Sequence, residues 1–133
     1  MFQTKLIKFA DNCCLAMCYL RASGVTTFTD MLKALTTSIE KKYIGEDGFV
    51  IAPTSMMKLK EGKIYAISKC AFRDVKDGEM FCANYYYAGY NHWVLCKKNG
   101  NEFDIIFNSL DKSNCVNNGA PDLDDVRRIT EAY

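Results

Sequence analysis

The sequence predicts one α+β domain in which N-terminal helices pack on an antiparallel β-sheet. Its 133 residues fit a single hydrophobic core and are too few for two cores of ordinary size. Apolar residues recur at helical spacing in the first third of the chain, whereas from Gly62 onward they alternate with a period of two. Helical segments followed by a run of strands are typical of α+β architecture.

Two helices are predicted in the first third of the chain. The first should cover about residues 13–23, because Asp11 and Asn12 are favourable N-cap residues and Gly24 is a natural stop. The second should begin in the segment 27–30 and continue toward Gly45, with apolar residues on one face.

A short helix and several strands are predicted to follow. Pro53 should open a helix of one or two turns that ends by Leu59. Alternating or β-prone segments then predict strands over residues 63–68, 70–75 and 80–87. The tail from Pro121 to Tyr133 is predicted to be a polar terminal helix, because a proline and three aspartates suit a first turn.

The clearest predicted element is a β-hairpin with strands over residues 91–98 and 102–109. His92 begins its first strand and Asn108 ends its second. These side chains share a face only if the loop has an odd number of residues, because neighbouring positions alternate between faces. A three-residue loop over 99–101 meets this condition, and a bulge elsewhere would have the same effect.

Composition and charge exclude several classes of partner. Seventeen Lys and Arg residues balance sixteen Asp and Glu residues, and the signs are interspersed, so no nucleic-acid partner is expected. The longest apolar run, from Cys13 to Leu20, is far shorter than the roughly 20 residues that span a bilayer. We therefore expect no membrane partner and a cytoplasmic monomer, with secretion that needs no signal peptide as a compatible alternative.

Seven cysteines without a CxxC pair favour buried, reduced thiols over disulfides or a zinc site. Cys82, Cys96 and His92 match no metal-ligand spacing, so neither a metal nor another cofactor is expected.

Cys13 and Cys14 fall in the first turn of the first predicted helix, where free N–H groups and the helix dipole favour a thiolate. His92 is the only imidazole in the chain that can take the thiol proton, and Asn108 carries an amide that can hold its other ring nitrogen. The structural alternative is that the two cysteines are small residues packing a core helix, and that the histidine is a satisfied core residue.

Three motifs resemble those of papain-like cysteine peptidases. The segments NHWVL (residues 91–95) and DIIFNSL (residues 104–110) are similar to the family's NHAV and YxIIKNSW patterns, with the same His-to-Asn separation. The segment CLAM (residues 14–17) is similar to the family's C-W-A-F, and the order Cys, His, Asn also matches. A tryptophan beside the histidine is shared with compact bacterial members, and the resemblance extends to small phage proteins.

The resemblance implies a papain-like domain over residues 1–133 that acts as a thiol peptidase or amidase on a peptide or peptide-like substrate. Cys14 would attack the carbonyl carbon as a thiolate paired with the His92 imidazolium, Asn108 would orient the ring, and a thioester would form. Tyr90 and Trp93 are expected to line the substrate groove.

The sequence also departs from the family pattern. The glycines around the nucleophile are missing, which keeps Cys13 as the alternative nucleophile, and Gln3 is the nearest glutamine upstream for an oxyanion hole. Backbone N–H groups are the other source of such a hole. Asp111 would orient the histidine if Asn108 faced away. Two other functions remain open: an acyltransferase or deamidase with the same triad, and a catalytically inactive papain-like binding module.

Overall fold

The computed structural model describes residues 1–60, 62–110 and 112–132. Within these ranges it has the α+β architecture that the sequence predicts. The helices are α1 (Phe2–Asn12), α2 (Cys14–Ala22), α3 (Phe28–Glu40), α4 (Pro53–Met57) and α5 (Asn114–Asn118). The strands are β1 (Ile64–Cys70), β2 (Met80–Tyr87), β3 (Tyr90–Asn99), β4 (Glu102–Phe107), β5 (Ala120–Pro121) and β6 (Val126–Ala132).

All described strands belong to one antiparallel sheet with the order β1-β6-β2-β3-β4, and β5 pairs with the end of β2. The last strand therefore lies inside the sheet, between β1 and β2. The predicted terminal helix over residues 121–133 is wrong for the described residues 121–132. Val126 and Ile129 are buried on β6, and pairing with two neighbouring strands outweighs the helix-start signal of the aspartates.

The N-terminal segment differs from the prediction by one additional helix. Asn12 is the last residue of α1, and Cys13 breaks the helical path with φ −92° and ψ 10° before α2 begins at Cys14. The predicted capping role of Asp11 and Asn12 is therefore wrong, and Cys13 occupies the N-cap position without a side-chain cap bond. Gly24 follows the end of α2 with a φ of 108°, which suits the predicted stop.

The other local predictions are mostly confirmed. The Thr27 Oγ1 atom accepts a hydrogen bond from the Asp30 N–H at 3.2 Å and caps α3, which ends at Glu40 instead of continuing toward Gly45. The short helix at Pro53 and the strand 80–87 form as predicted. The predicted strand 70–75 is wrong, because β1 ends at residue 70 and Phe72–Asp74 form a single 3-10 turn.

Apolar clusters cover both faces of the sheet. On one face, α2, α3 and α4 pack their buried side chains, such as Leu20 and Met56, against Leu95 of β3. On the other face, Phe81 and Val94 pack near α5 and the 3-10 turn. All seven cysteines lie in the described ranges as free thiols, and all but Cys70 are buried. Among the described helices, none combines the length and apolar character needed to cross a bilayer.

Candidate active site

The turn of the β3–β4 hairpin is tighter than the sequence predicts. Asn99 pairs with Glu102 across a two-residue turn, so the three-residue loop over 99–101 is wrong. Gly100 has a φ of 66°, a backbone conformation that glycine adopts without the steric penalty of a Cβ atom. By itself this turn would send Asn108 to the face opposite His92.

A β-bulge restores the shared face. Between Leu95 and Cys96 the pairing shifts by one residue, which leaves Ile106 as the additional residue on the β4 side. One extra residue reverses the alternation of every later position on that strand. The bulge that the sequence left open as an alternative is therefore present, and it turns Asn108 to the face of His92.

His92 and Asn108 form a direct hydrogen bond. The His92 Nε2 atom lies 2.7 Å from the Asn108 Oδ1 atom, and Oδ1 also accepts the Leu110 backbone N–H at 3.1 Å. Because a backbone N–H can only donate, the atom it meets must be the amide oxygen, which identifies the side-chain orientation. Nε2 must then donate to Oδ1, so in the neutral ring Nδ1 is the nitrogen that accepts a proton.

Cys14, the first residue of α2, is buried against the beginning of β3. Backbone hydrogen bonds from Trp93, from Leu15 and from its own N–H stabilise the thiolate form of Cys14. The intrahelical bonding of α2 begins with Met17, whose N–H donates to the Cys13 carbonyl at 3.0 Å. Trp93, the residue next to His92 in β3, thus donates a backbone hydrogen bond to the Cys14 thiol, 79 positions earlier in the chain.

Cys13 is also buried but is differently placed. Its Sγ atom donates to the Ala10 carbonyl at 3.5 Å, which keeps the thiol against the end of α1. Burial, the neighbouring Cys14 thiol and the Asp11 carboxylate raise the pKa of Cys13 to about 11. Three backbone donors act to lower the pKa of Cys14, whereas one does so at Cys13. The surroundings therefore favour Cys14 over Cys13 as the nucleophile.

Burial also decides the protonation of Cys14 and His92. Burial raises the pKa of Cys14 above its ordinary value of 9.0, although the Trp93 backbone donor acts in the opposite direction. Burial lowers the pKa of His92 below 6.5, against the effect of its hydrogen bond to Asn108. The helix N-terminus predicts a thiolate at neutral pH, but desolvation outweighs it here. Both pKa shifts favour a neutral thiol and a neutral imidazole over a thiolate–imidazolium pair.

The site opens into a cleft of about 870 Å³. Its walls are the α1–α2 junction (residues 10–14 and 17), the β2–β3 turn and the start of β3 (residues 87–92), and the chain after β4 (residues 109–110 and 112–115). Cys13, Cys14, His92 and Tyr90 all line this cleft, and Asn108 lies behind the imidazole.

Two predicted site residues lie elsewhere. The Trp93 ring packs against the helix-side cluster, with the Arg127 guanidinium 5.0 Å from its centroid, so this residue contributes backbone and not a groove wall. Gln3 is exposed in the first turn of α1, roughly 10 Å along the helix axis from Ala10, where the cleft begins. That distance removes it from an oxyanion hole at Cys14. Asp111, the alternative orienting group, lies outside the described residues.

Gly48 is a positioning residue that the sequence did not single out. A Cβ atom at this position would lie 2.6 Å from the Phe9 carbonyl oxygen and 3.0 Å from the Cys13 nitrogen, and its φ is 89°. The loop before α4 can therefore press against the α1–α2 junction only through a glycine. The sequence indicates a turn at Glu46-Asp47-Gly48. A turn pattern does not predict that Gly48 packs against the backbone of Phe9 and Cys13.

Within the part of the chain that the structure describes, no three His, Cys, Asp or Glu side chains group closely enough to hold a metal ion. Comparisons of this chain with protein-family models, with curated proteins and with solved structures give no match.

Proposed function

We propose that this protein is a thiol peptidase or amidase with a papain-like fold, in which Cys14 is the nucleophile and His92 is the general base. Asn108 orients the imidazole. The observation that carries the proposal is the 2.7 Å hydrogen bond between His92 Nε2 and Asn108 Oδ1, at the edge of a cleft that Cys14 also lines. This bond commits one ring nitrogen and leaves Nδ1 to accept the thiol proton.

The acylation step follows from these protonation states. Nδ1 of His92 takes the proton of the Cys14 thiol while the sulfur attacks the substrate carbonyl carbon. The carbon–nitrogen bond then breaks, and the imidazolium returns the proton to the departing amine. Water resolves the thioester with His92 again acting as base. Because the thiol is protonated at rest, its proton moves within the reaction and not before it.

Backbone donors suit the oxyanion that develops during attack. The N–H groups of Cys14 and Leu15 lie in the first turn of α2, ahead of the intrahelical bond that Met17 donates. The positive end of the α2 dipole adds to their effect. A backbone hole of this kind needs no upstream glutamine, which fits the distant position of Gln3.

The substrate proposed is a peptide or peptide-like amide, and the protein is proposed to act as a cytoplasmic monomer. Free cysteines are typical of a reducing compartment.

Acylation by p-nitrophenyl acetate tests the proposed function without knowledge of the natural substrate. We expect a burst of nitrophenolate and an acetyl group on Cys14, located by peptide mass spectrometry. Cys14→Ala should abolish both, whereas the matched neighbour variant Cys13→Ala should retain the burst. His92→Ala should slow acylation by about 100-fold.

The binding-module alternative makes the opposite prediction. An inactive protein would show no burst and only slow labelling that is independent of His92. Acetylation of Cys13, or a burst that survives in Cys14→Ala, would show that Cys14 is not the nucleophile. Circular dichroism of each variant separates lost chemistry from lost folding.

A further inference from the structure

Three large apolar side chains stand exposed on the wall of the cleft. Tyr87, Tyr90 and Leu110 are 42%, 75% and 53% exposed, and all three line it. Exposed apolar side chains that gather in a concave site mark a surface that binds a ligand.

The two tyrosines form a cross-strand pair beside a tight turn. Tyr87 and Tyr90 face each other across β2 and β3, joined by a turn with φ of 51° at Ala88 and 82° at Gly89. Positive φ at both turn positions is the geometry of a tight two-residue hairpin. Ala88 adopts this conformation at a steric cost that glycine would avoid. The turn therefore fixes the backbone positions from which both rings extend.

This wall adjoins the imidazole of His92. Tyr90 precedes His92 by two positions on β3, so both side chains lie on the same face of the strand. Leu110 is tied to the base through Asn108, whose Oδ1 atom accepts both the Leu110 N–H and the His92 ring. Residues 10–12 at the end of α1 line the same cleft and directly precede Cys13 and Cys14 in the chain.

We propose that Tyr87, Tyr90 and Leu110 form a leaving-group subsite that selects an amine carrying an aromatic or large aliphatic side chain. This inference rests on the proposed function. During acylation the departing amine must lie within reach of the imidazole that protonates it. The amine is therefore the part of the substrate that we assign to these three side chains.

The same subsite binds the amine when the reaction runs in the other direction. The amine nitrogen attacks the thioester carbon, the carbon–sulfur bond breaks, and His92 passes the amine proton to the departing Cys14 sulfur. An amine that fits the subsite then competes with water for the acyl group. The rate of acyl transfer to different amines therefore measures which amines the subsite prefers.

The charges around the cleft agree with an apolar amine. Among the described lining residues other than His92, only Asp11 and Lys112 are ionisable to full charges at neutral pH, and neither belongs to the subsite. An amine with a charged side chain would lose hydration against the tyrosines without gaining an ion pair there.

Partitioning of the acetyl-enzyme between amines tests the subsite. After acylation with p-nitrophenyl acetate, phenylalaninamide should be acetylated about tenfold faster than glycinamide, because burying its ring contributes about 1.4 kcal/mol or more. Tyr90→Ala and Leu110→Ala should each bring this ratio to within about twofold of one. Phe28→Ala and Leu32→Ala, which truncate exposed apolar residues of α3 outside the cleft, should leave the ratio unchanged.

A binding measurement separates the subsite from the chemistry. In Cys14→Ala protein, which forms no thioester, phenylalaninamide should shift the NMR signals of Tyr90 and Leu110 at lower concentration than glycinamide. Such binding without any acylation of the wild type would refute the proposed function and keep an apolar binding site. Acylation with equal use of both amines and no selective binding would refute the subsite alone. If the wild type is not acylated and phenylalaninamide does not bind selectively, both proposals are overturned.

Discussion

His92 and Asn108 are diagonal neighbours across β3 and β4, and yet their Nε2 and Oδ1 atoms lie 2.7 Å apart. Beyond the bulge Leu95 pairs with Phe107, so the same register places Asn108 opposite Val94, two positions from His92. Diagonal neighbours on one face are about 7–8 Å apart at the backbone, a gap that an imidazole and a carboxamide can span together. The relationship follows from the bulge and not from direct pairing.

Removing the Asn108 amide should impair the base without removing the nucleophile. In Asn108→Ala, His92 loses the acceptor that selects its tautomer, and we expect acylation by p-nitrophenyl acetate to slow by about tenfold to 100-fold. Cys14→Ala should abolish it entirely. Equal rates in Asn108→Ala and the wild type would contradict an orienting role. Asn114→Ala is the matched control, because this asparagine also lines the cleft but has no hydrogen bond to His92 in the described structure.

The pH dependence of acylation should report a neutral resting pair. His92 must be unprotonated to act as base, and its pKa is lowered, so the rate should rise with pH to a plateau with a midpoint below 6.5. The Cys14 pKa is raised, so the thiol stays protonated and the plateau should extend to above pH 9.0. Stopped-flow burst rates from pH 4 to 10 check this profile.

A preformed thiolate–imidazolium pair would behave differently. Its rate would decline as the imidazolium loses its proton, giving a bell-shaped profile with a falling limb below pH 9. His92→Ala serves as the control, because the rising limb should disappear with the imidazole.

Gly48→Ala should destabilise the fold more than a glycine replacement with the same backbone conformation in open space. Gly78 provides the comparison, with a φ of 83° and no atom within 4 Å of an added Cβ. Gly78→Ala should cost about 1 kcal/mol of unfolding free energy from its φ alone. Gly48→Ala adds the collision with the Phe9 and Cys13 backbone and should cost roughly 3 kcal/mol. Urea denaturation measures both, and equal losses would rule out the contact.

The ion pair between Glu79 and Arg128 should make stability depend on pH in the acid range. Two hydrogen bonds, of 2.8 and 2.9 Å, join Glu79, the residue before β2, to Arg128 of β6. Hydrogen bonding to the guanidinium lowers the pKa of Glu79 below its ordinary value of 4.5. A carboxylate with a lowered folded-state pKa stabilises the protein above its unfolded-state pKa, and this contribution is lost as pH falls through the folded value.

Glu79→Gln should therefore lower the unfolding free energy by about 1 kcal/mol at pH 7. The difference from the wild type should shrink as pH falls below 4.5. Glu46→Gln, which breaks the far more exposed pair with Lys5, should have almost no effect at either pH. A loss in Glu79→Gln that stays constant down to pH 3 would show that packing, not charge, is responsible.

Several elements could be predicted because their signals are local. Thr27 caps α3 through a hydrogen bond to a residue three positions away, and the β-prone segment over residues 80–87 matches β2 along its whole length. The hairpin brings together a histidine and an asparagine only 16 positions apart. For these features the interacting residues are close in the chain, so composition and spacing already contain the information.

Residues far apart in sequence decided the rest. Val126 and Ile129 lie in a strand because β6 forms hydrogen bonds with both β1 and β2. The aspartates that precede β6 in the chain favour the start of a helix instead. The bulge at Ile106 depends on the register between β3 and β4, and neither strand specifies that register by its own sequence.

The amino-acid sequence alone determined the α+β class, most helix and strand positions, and the candidate set of Cys14, His92 and Asn108. The folded chain determined which hairpin register joins the histidine to the asparagine, which strand completes the sheet, and the protonation of the thiol and imidazole. The physical reason is that desolvation and strand pairing depend on neighbours in space, and for Cys14 one of those neighbours, Trp93, lies 79 positions later in the chain.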